Sequence, residues 1–344
     1  MRAEVLRRQD VRALTGTVLV ADIRDSLGRV ILGRGTLVGE DERLVLEGLP
    51  WETLHVLRPD ADDVLEVEAG DRLARAAAGA GVSTGTVGGG HWPLAAVSRG
   101  IVELRHEALL EVNRDGKLAI YTVADGQVVD RDEVVARVKI IPFVVEGRTL
   151  DRGVKAATAA QGVVSVRPFQ PASVGVVVME SLGSSALERF RRALDEKAAW
   201  FGSSVLPHCA ATRSTRSVLA ALEGLLALHA DLLLVAGTQA MDPLDPAFEA
   251  VRRLGGQIER VGVPAHPGSL LWLARINGTP VLGMPSCGLF SRATVFDLVL
   301  PRLLAGLTVD SAWLAGLGAG GLLTRDVAAR FPPYRPRQER GAVD

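Results

Sequence analysis

Cysteine is nearly missing from this chain: its two residues, Cys209 and Cys287, form neither a CxxC pair nor a disulfide framework. A reducing, cytoplasmic compartment is therefore expected. A charge excess is missing as well, since 39 basic and 40 acidic residues leave a net charge of -1. That balance excludes broad nucleic-acid binding, which needs a concentrated basic surface. Lysine is scarce, at Lys117, Lys139, Lys155 and Lys197, so the positive charge is almost all arginine. Arginine suits bidentate phosphate contacts, but in a chain so rich in Ala and Gly a general compositional bias is the better explanation. No apolar run reaches the roughly 18 residues of a membrane span, and the charged first eleven residues hold no apolar signal core. The triplet Gly88-Gly89-Gly90 lacks the Lys-Ser/Thr of a Walker loop and the spaced glycines of a dinucleotide fold. An exposed loop is expected there, with Trp92 packed at its end to anchor it.

What is present is an ordinary globular composition, 48% apolar over 344 residues, a length that favours two or three domains. Residues 1–60 read as a small β-rich unit, with strands over 17–23, 29–37 and 53–57 and a helix over 40–48. Residues 61–170 read as a mixed α+β portion. A helix over 62–78 is followed by strands over 117–123 and 134–145, and a small-residue segment over 147–171 serves as domain boundary. The carboxylates Glu107, Glu111, Asp115 and Asp132 and the adjacent His106 are scattered over helix ends and turns and read as solvated surface.

From residue 171 the pattern becomes a βα alternation that continues to 306, followed by a tail over 307–344. Strands over 174–179, 203–207 and Leu232-Leu233-Leu234-Val235-Ala236 alternate with helices over 184–200 and 215–229. Apolar runs without period-two alternation point to a parallel sheet covered on both faces. Asp242 and Asp245 each precede a proline, which is a helix-start signal. Asn277-Gly278 between two apolar runs is the strongest short hairpin signal. A long apolar helix ends near Leu304, with Gly306 as its stop. The turns after successive strands hold Gly237-Thr238, then Pro267-Gly268-Ser269, then Gly283 through Cys287. If the strands share one sheet, these turns converge on one rim, where open α/β sheets bind ligands.

Those turns and their neighbours resemble a known family. The text Ala236-Gly237-Thr238-Gln239-Ala240-Met241-Asp242, His266-Pro267-Gly268-Ser269 and Gly283-Met284-Pro285-Ser286-Cys287 is similar to the turns of the molybdopterin-binding domain shared by molybdopterin molybdenumtransferases and adenylyltransferases. The run Ala293-Thr294-Val295-Phe296-Asp297-Leu298-Val299-Leu300-Pro301 and the later Leu317-Gly318-Ala319-Gly320-Gly321-Leu322 look like stand-alone bacterial molybdopterin-binding proteins. The resemblance implies a three-layer αβα domain behind a β-rich N-terminal portion. It also implies a ligand of the molybdopterin type (molybdopterin, its adenylylated form or the molybdenum cofactor) and a divalent cation such as Mg2+. Carried over residue by residue, Gly237, Thr238, Pro267, Gly268, Ser269, Gly283, Pro285, Ser286 and Cys287 would cradle phosphate or pterin. Arg292 would supply positive charge, and Asp242 would hold the metal as the catalytic carboxylate, with Asp245 beside it. A homo-oligomer and a molybdoenzyme client fit the same family; nucleic acid and membrane do not.

The departures cluster in the turns. Thr238 stands for a glycine, Ala240 for a serine and Ser286 for a glycine, and Thr212-Arg213-Ser214-Thr215 stands where an Asp-rich turn is common. They tilt the reading toward a protein that binds the ligand. An active molybdenumtransferase and a nucleotide hydrolase on a related fold are the alternatives. For Asp242 an N-cap ahead of Pro243 competes with the metal role. Two substitutions follow: Thr238→Gly should be tolerated, and Gly268 should be the least replaceable residue of the turns.

Overall fold

A computed structural model describes residues 1–179, 183–284, 294–323 and 331–332. The chain divides into two compact units. One comprises Met1–Ser98, Val102–Asp125 and Asp130–Val166, and the other runs chiefly from Arg167 onward.

In the first unit, strand Thr53–Arg58 lies between Arg2–Arg7 and Val18–Leu19, antiparallel to both. The Arg2–Arg7 strand is not visible as an apolar run because it is an edge, with most of its residues exposed and none buried. Charged side chains are how such edges resist further pairing. Leu14, Leu19, Val38, Leu46 and Val56 form the small core beneath. The expected strand over 29–37 shortens to Val30–Leu32, since Gly35 turns the chain at φ +84°. Trp92 packs on helix Glu66–Ala77, where a Cβ on Gly70 would meet its ring at 2.2 Å, and its Nε1 donates to Asp71 at 2.7 Å. The segment expected to hold the boundary, 147–171, carries helix Gly147–Ala159 and strand Val164–Pro168, and the two units divide within it, between Val166 and Arg167. Its small residues serve packing: a Cβ on Gly153 would stand 2.6 Å from Leu118, and Ala157 is fully buried.

The second unit is built on one mixed sheet. Ser204–Val205, Ser173–Val178, Leu232–Ala236 and Thr279–Met284 are parallel in that order, and Cys209–Ala210 pairs parallel to the far end of Ser173–Val178. Beyond Thr279–Met284 the sheet turns antiparallel through Trp272–Ile276 to Gln257–Val261. The hairpin at Asn277-Gly278 makes that reversal, with φ of +49° and +89° at its two central residues, the signs a type I′ turn requires.

Strand residues alternate between two cores. Val174, Val176, Leu232, Leu234 and Leu282 pack with Phe190 and Leu194 of helix Ser184–Trp200 and with Val299 and Leu300 of helix Phe296–Leu304. Val177, Leu233, Val235 and Val281 pack with Leu222 of helix Thr215–Ala227 and Phe248 of helix Pro246–Arg253. Both sheet faces are therefore covered, which is why these strands read as unbroken apolar runs. Each fully buried Leu or Phe contributes about 1.5–3 kcal/mol. Helix Phe296–Leu304 ends in a Schellman arrangement: Gly306 (φ +66°) donates to Leu303 and Leu307 to Arg302. No helix among the described residues is long and apolar enough to cross a membrane.

Candidate functional site

Register brings the turns together. Val178 pairs with both Ala236 and Ala210, and Ala236 pairs with Met284, so the parallel strands end level. The chain leaves them with Met179 N–H donating to Ala236 O, Ala211 N–H to Val178 O and Gly237 N–H to Met284 O, each at 2.9 Å. Trp272 lies opposite Gly283, so the turn that precedes it, Pro267-Gly268-Ser269, stands at the same rim. On the other side of the sheet, after Cys209–Ala210, Ser214 caps helix Thr215–Ala227 by accepting from Ser217 N–H at 3.3 Å. Ser217 Oγ in turn accepts from Thr212 N–H at 3.0 Å.

The turn after Leu232–Ala236 is held by its own carboxylates. Asp245, 1% exposed, is the N-cap of helix Pro246–Arg253. Its Oδ1 accepts from Ala247 N–H at 2.9 Å and its Oδ2 from Gln239 N–H at 2.8 Å. Asp242 is exposed and sits one turn earlier, its Oδ1 accepting from Leu244 N–H at 2.9 Å. This is an Asx turn, not a helix cap. Of the two Asp-Pro signals, only the second starts a helix.

Thr238 points away from the rim. It is 4% exposed, and its Oγ1 accepts from Trp272 Nε1 at 3.1 Å in the core. Trp272 lies over Gly283, where a Cβ would come within 1.9 Å of the indole. Thr238, Trp272 and Gly283 thus form one packed unit, and Gly283 is there to admit a ring. Gly268 has φ +112°, and a Cβ on it would stand 2.9 Å from Val295 N and 3.0 Å from Val295 Cβ. Pro267 O accepts from Val295 N–H at 3.0 Å. The turn is therefore pressed against the start of helix Phe296–Leu304. The segment read as a tail helps hold it: His266 N–H donates to Gly321 O at 2.7 Å and Leu323 N–H to His266 O at 2.8 Å. Pro285, Ser286, Cys287 and Arg292 lie outside the described residues.

Two contacts here went unseen in the sequence. Arg213 reaches across from the Thr212–Thr215 turn, its Nη2 donating to Gly237 O at 2.5 Å and its Nη1 standing 3.7 Å from Asp245 Oδ2. Lys197, 7% exposed, meets the fully buried Asp297 at 2.5 Å, while Asp297 Oδ2 accepts from Thr294 N–H at 2.8 Å. That pair ties helix Ser184–Trp200 to the N-terminal turn of helix Phe296–Leu304. A signal existed for it: in an arginine-weighted chain, Lys197 follows Phe190 and Leu194 on the apolar stripe of its helix.

A divalent cation fits poorly at Asp245, whereas the exposed Asp242 spends only Oδ1 on its own turn. Asp245 is buried with both oxygens turned to its own backbone, and Arg213 puts positive charge beside it. Hard cations need carboxylate oxygens presented to them. No group of three or more His, Cys, Asp or Glu suited to a metal occurs among the described residues. A cavity of about 230 Å3 lies apart from the turns, between helix Ser184–Trp200 and the sheet edge at Val205 to His208.

No protein-family model and no curated protein matches the chain. Among solved structures it is similar to the molybdopterin biosynthesis MoeA protein from Pyrococcus horikosii, at 14% identity over 71% of this chain and 79% of that one, with a TM-score of 0.31. It is also similar to the molybdopterin biosynthesis enzyme MoaB from Thermus thermophilus, at 17% identity over 42% of this chain and 97% of that one, with a TM-score of 0.30. At these identities and TM-scores, neither likeness says what the chain does.

Proposed function

We propose that the second unit binds a molybdopterin-type ligand by its phosphate end, at the rim where its parallel strands finish. The role would lie in biosynthesis of the molybdenum cofactor or its delivery to a molybdoenzyme. The observation that supports this most is register: Val178, Ala236 and Met284 end level, so three parallel strands finish at one rim. Such a rim is where open α/β sheets receive ligands. The motif resemblance of these turns names the ligand class. Gly268 and Ser269 would offer backbone N–H groups to it, since Gly237 already donates to Met284 O and accepts from Arg213, and Pro267 has no N–H; the resemblance adds Ser286, Cys287 and Arg292. Binding is favoured over turnover because Asp245 spends both carboxylate oxygens on its own turn and Asp242 spends Oδ1, so no pair of carboxylates is left there for a cation.

Mass spectrometry of the protein purified from a molybdenum-replete host tests this, followed by incubation with adenylyl-molybdopterin with and without Mg2+. An intact molybdopterin-type ligand without AMP release is the expected result. Magnesium-dependent AMP release at enzyme-like rates would move the reading to a molybdenumtransferase. Repeated absence of ligand, with failure to bind added molybdopterin, would overturn it.

A further inference from the structure

The geometry points to a rim that takes its anion through a guanidinium where the resemblance implies a divalent cation, and we propose that Arg213 is that group; this rests on the binding reading above. Three observations carry it. Arg213 stands in the turn Thr212-Arg213-Ser214-Thr215, where the resemblance implies acidic residues. The carboxylate it approaches, Asp245, is closed to a metal by Gln239 N–H and Ala247 N–H. The guanidinium is also placed beforehand: Gly237 O holds Nη2 at 2.5 Å, and Asp245 Oδ2 lies 3.7 Å from Nη1. Its side chain keeps 37% exposure, and only one of the five N–H donors of its planar fork makes a hydrogen bond to the described residues.

A phosphate monoester with a charge of about -1.5 to -2 at neutral pH is matched by such a fork, often with two parallel hydrogen bonds. A cation beside Arg213 would be repelled, and Asp245, the carboxylate nearest it, turns both oxygens to backbone N–H groups. The chemistry recognised is therefore a terminal phosphate without a bound divalent ion. A Mg2+-chelated diphosphate would be disfavoured.

The test uses the full chain and two probes, inorganic phosphate by thermal shift and molybdopterin by calorimetry, each in EDTA and in Mg2+. For the wild type, affinity in EDTA should match that in Mg2+ within about twofold. Arg213→Gln should weaken both probes roughly tenfold or more, as expected for loss of a charge-assisted pair, and Arg213→Lys should fall between. Arg213→Asp restores an acidic turn; it should bind poorly in EDTA and regain binding with Mg2+. An arginine that served only to hold Gly237 would lower thermal stability and leave metal dependence unmoved. Wild-type binding lost in EDTA, or Arg213→Gln binding as the wild type does, overturns the inference. Phosphate captured through Arg213 without molybdopterin binding would keep the inference and remove the pterin reading. Molybdopterin binding indifferent to Arg213 would do the reverse, and failure of both probes on the wild type removes both.

Discussion

Thr238 carries the hydroxyl that satisfies a tryptophan buried beneath the candidate site. From sequence its replacement by glycine looks harmless, because the resembling family has glycine there. In the fold, Trp272 is fully buried, and the indole N–H that donates to Thr238 would lose its partner. Thr238→Val, which keeps the shape and removes the acceptor, should cost about 1–3 kcal/mol. Urea denaturation reads this directly; a variant as stable as the wild type would show that the bond contributes nothing. Gly268 is constrained by its surroundings as well. With φ +112° and Val295 N 2.9 Å from any Cβ, Gly268→Ala should lose about 1–3 kcal/mol from backbone strain before any effect on ligand. A loss of binding in Gly268→Val is therefore evidence about a phosphate only in a variant whose melting matches the wild type.

At the scale of elements, two contacts decide how pieces of the second unit are joined. Lys197 and Asp297 connect helices one hundred residues apart, and both are buried. Lys197→Met leaves the Oδ1 of Asp297 without that cation and should cost about 3–5 kcal/mol. Replacing Lys197 by Arg tests charge against fit. At the other end of the sheet, Asp231 joins the first two long parallel strands. Its Oδ2 accepts from Ser173 N–H at 2.8 Å and Ser173 Oγ at 2.7 Å, and these bonds hold its carboxyl below the usual range. A lowered carboxyl pKa stabilises the fold above the unfolded value and ceases to do so as pH falls through the folded one. The stability gap between wild type and Asp231→Asn should thus be full at pH 7 and close as pH drops below about 4. Equal pH profiles from denaturant titrations would exclude that role.

Over the whole molecule, local order separates the glycine-rich loop from the stretch read as a boundary. Residues 83–89 are exposed and follow no long element, whereas Gly147–Ala159 is helical with Leu150 and Ala157 fully buried. Limited proteolysis should cut within 83–89 well before 147–168, and early cleavage in the helix would contradict its packing. Within 147–171 the two units divide only between Val166 and Arg167, after the packed helix, so the small residues before that point are no linker. Gly153 and Ala157 look like linker residues in a string, and only the neighbouring Leu118 shows that their smallness is spatial fit.

Much of the second unit was legible because its signals are short-range. Leu232–Ala236 and Ser184–Trp200 appear with the bounds that their apolar patterns indicate, and Asn277-Gly278 and Gly306 act as a hairpin turn and a helix stop. Such features depend on residues within a few positions, whose φ and hydrogen bonds the side chains themselves select. The same sequence set out which turns leave the parallel strands, and so which residues stand near a rim. It left open which way each of those residues faces. Thr238 turns inward because Trp272, 34 residues on, lacks another described acceptor; Gly283 serves that same ring; Asp245 caps a helix; and Arg213 crosses from the neighbouring turn. Only the tertiary structure decided these, since each depends on a partner that sheet register, and not chain proximity, brings into contact.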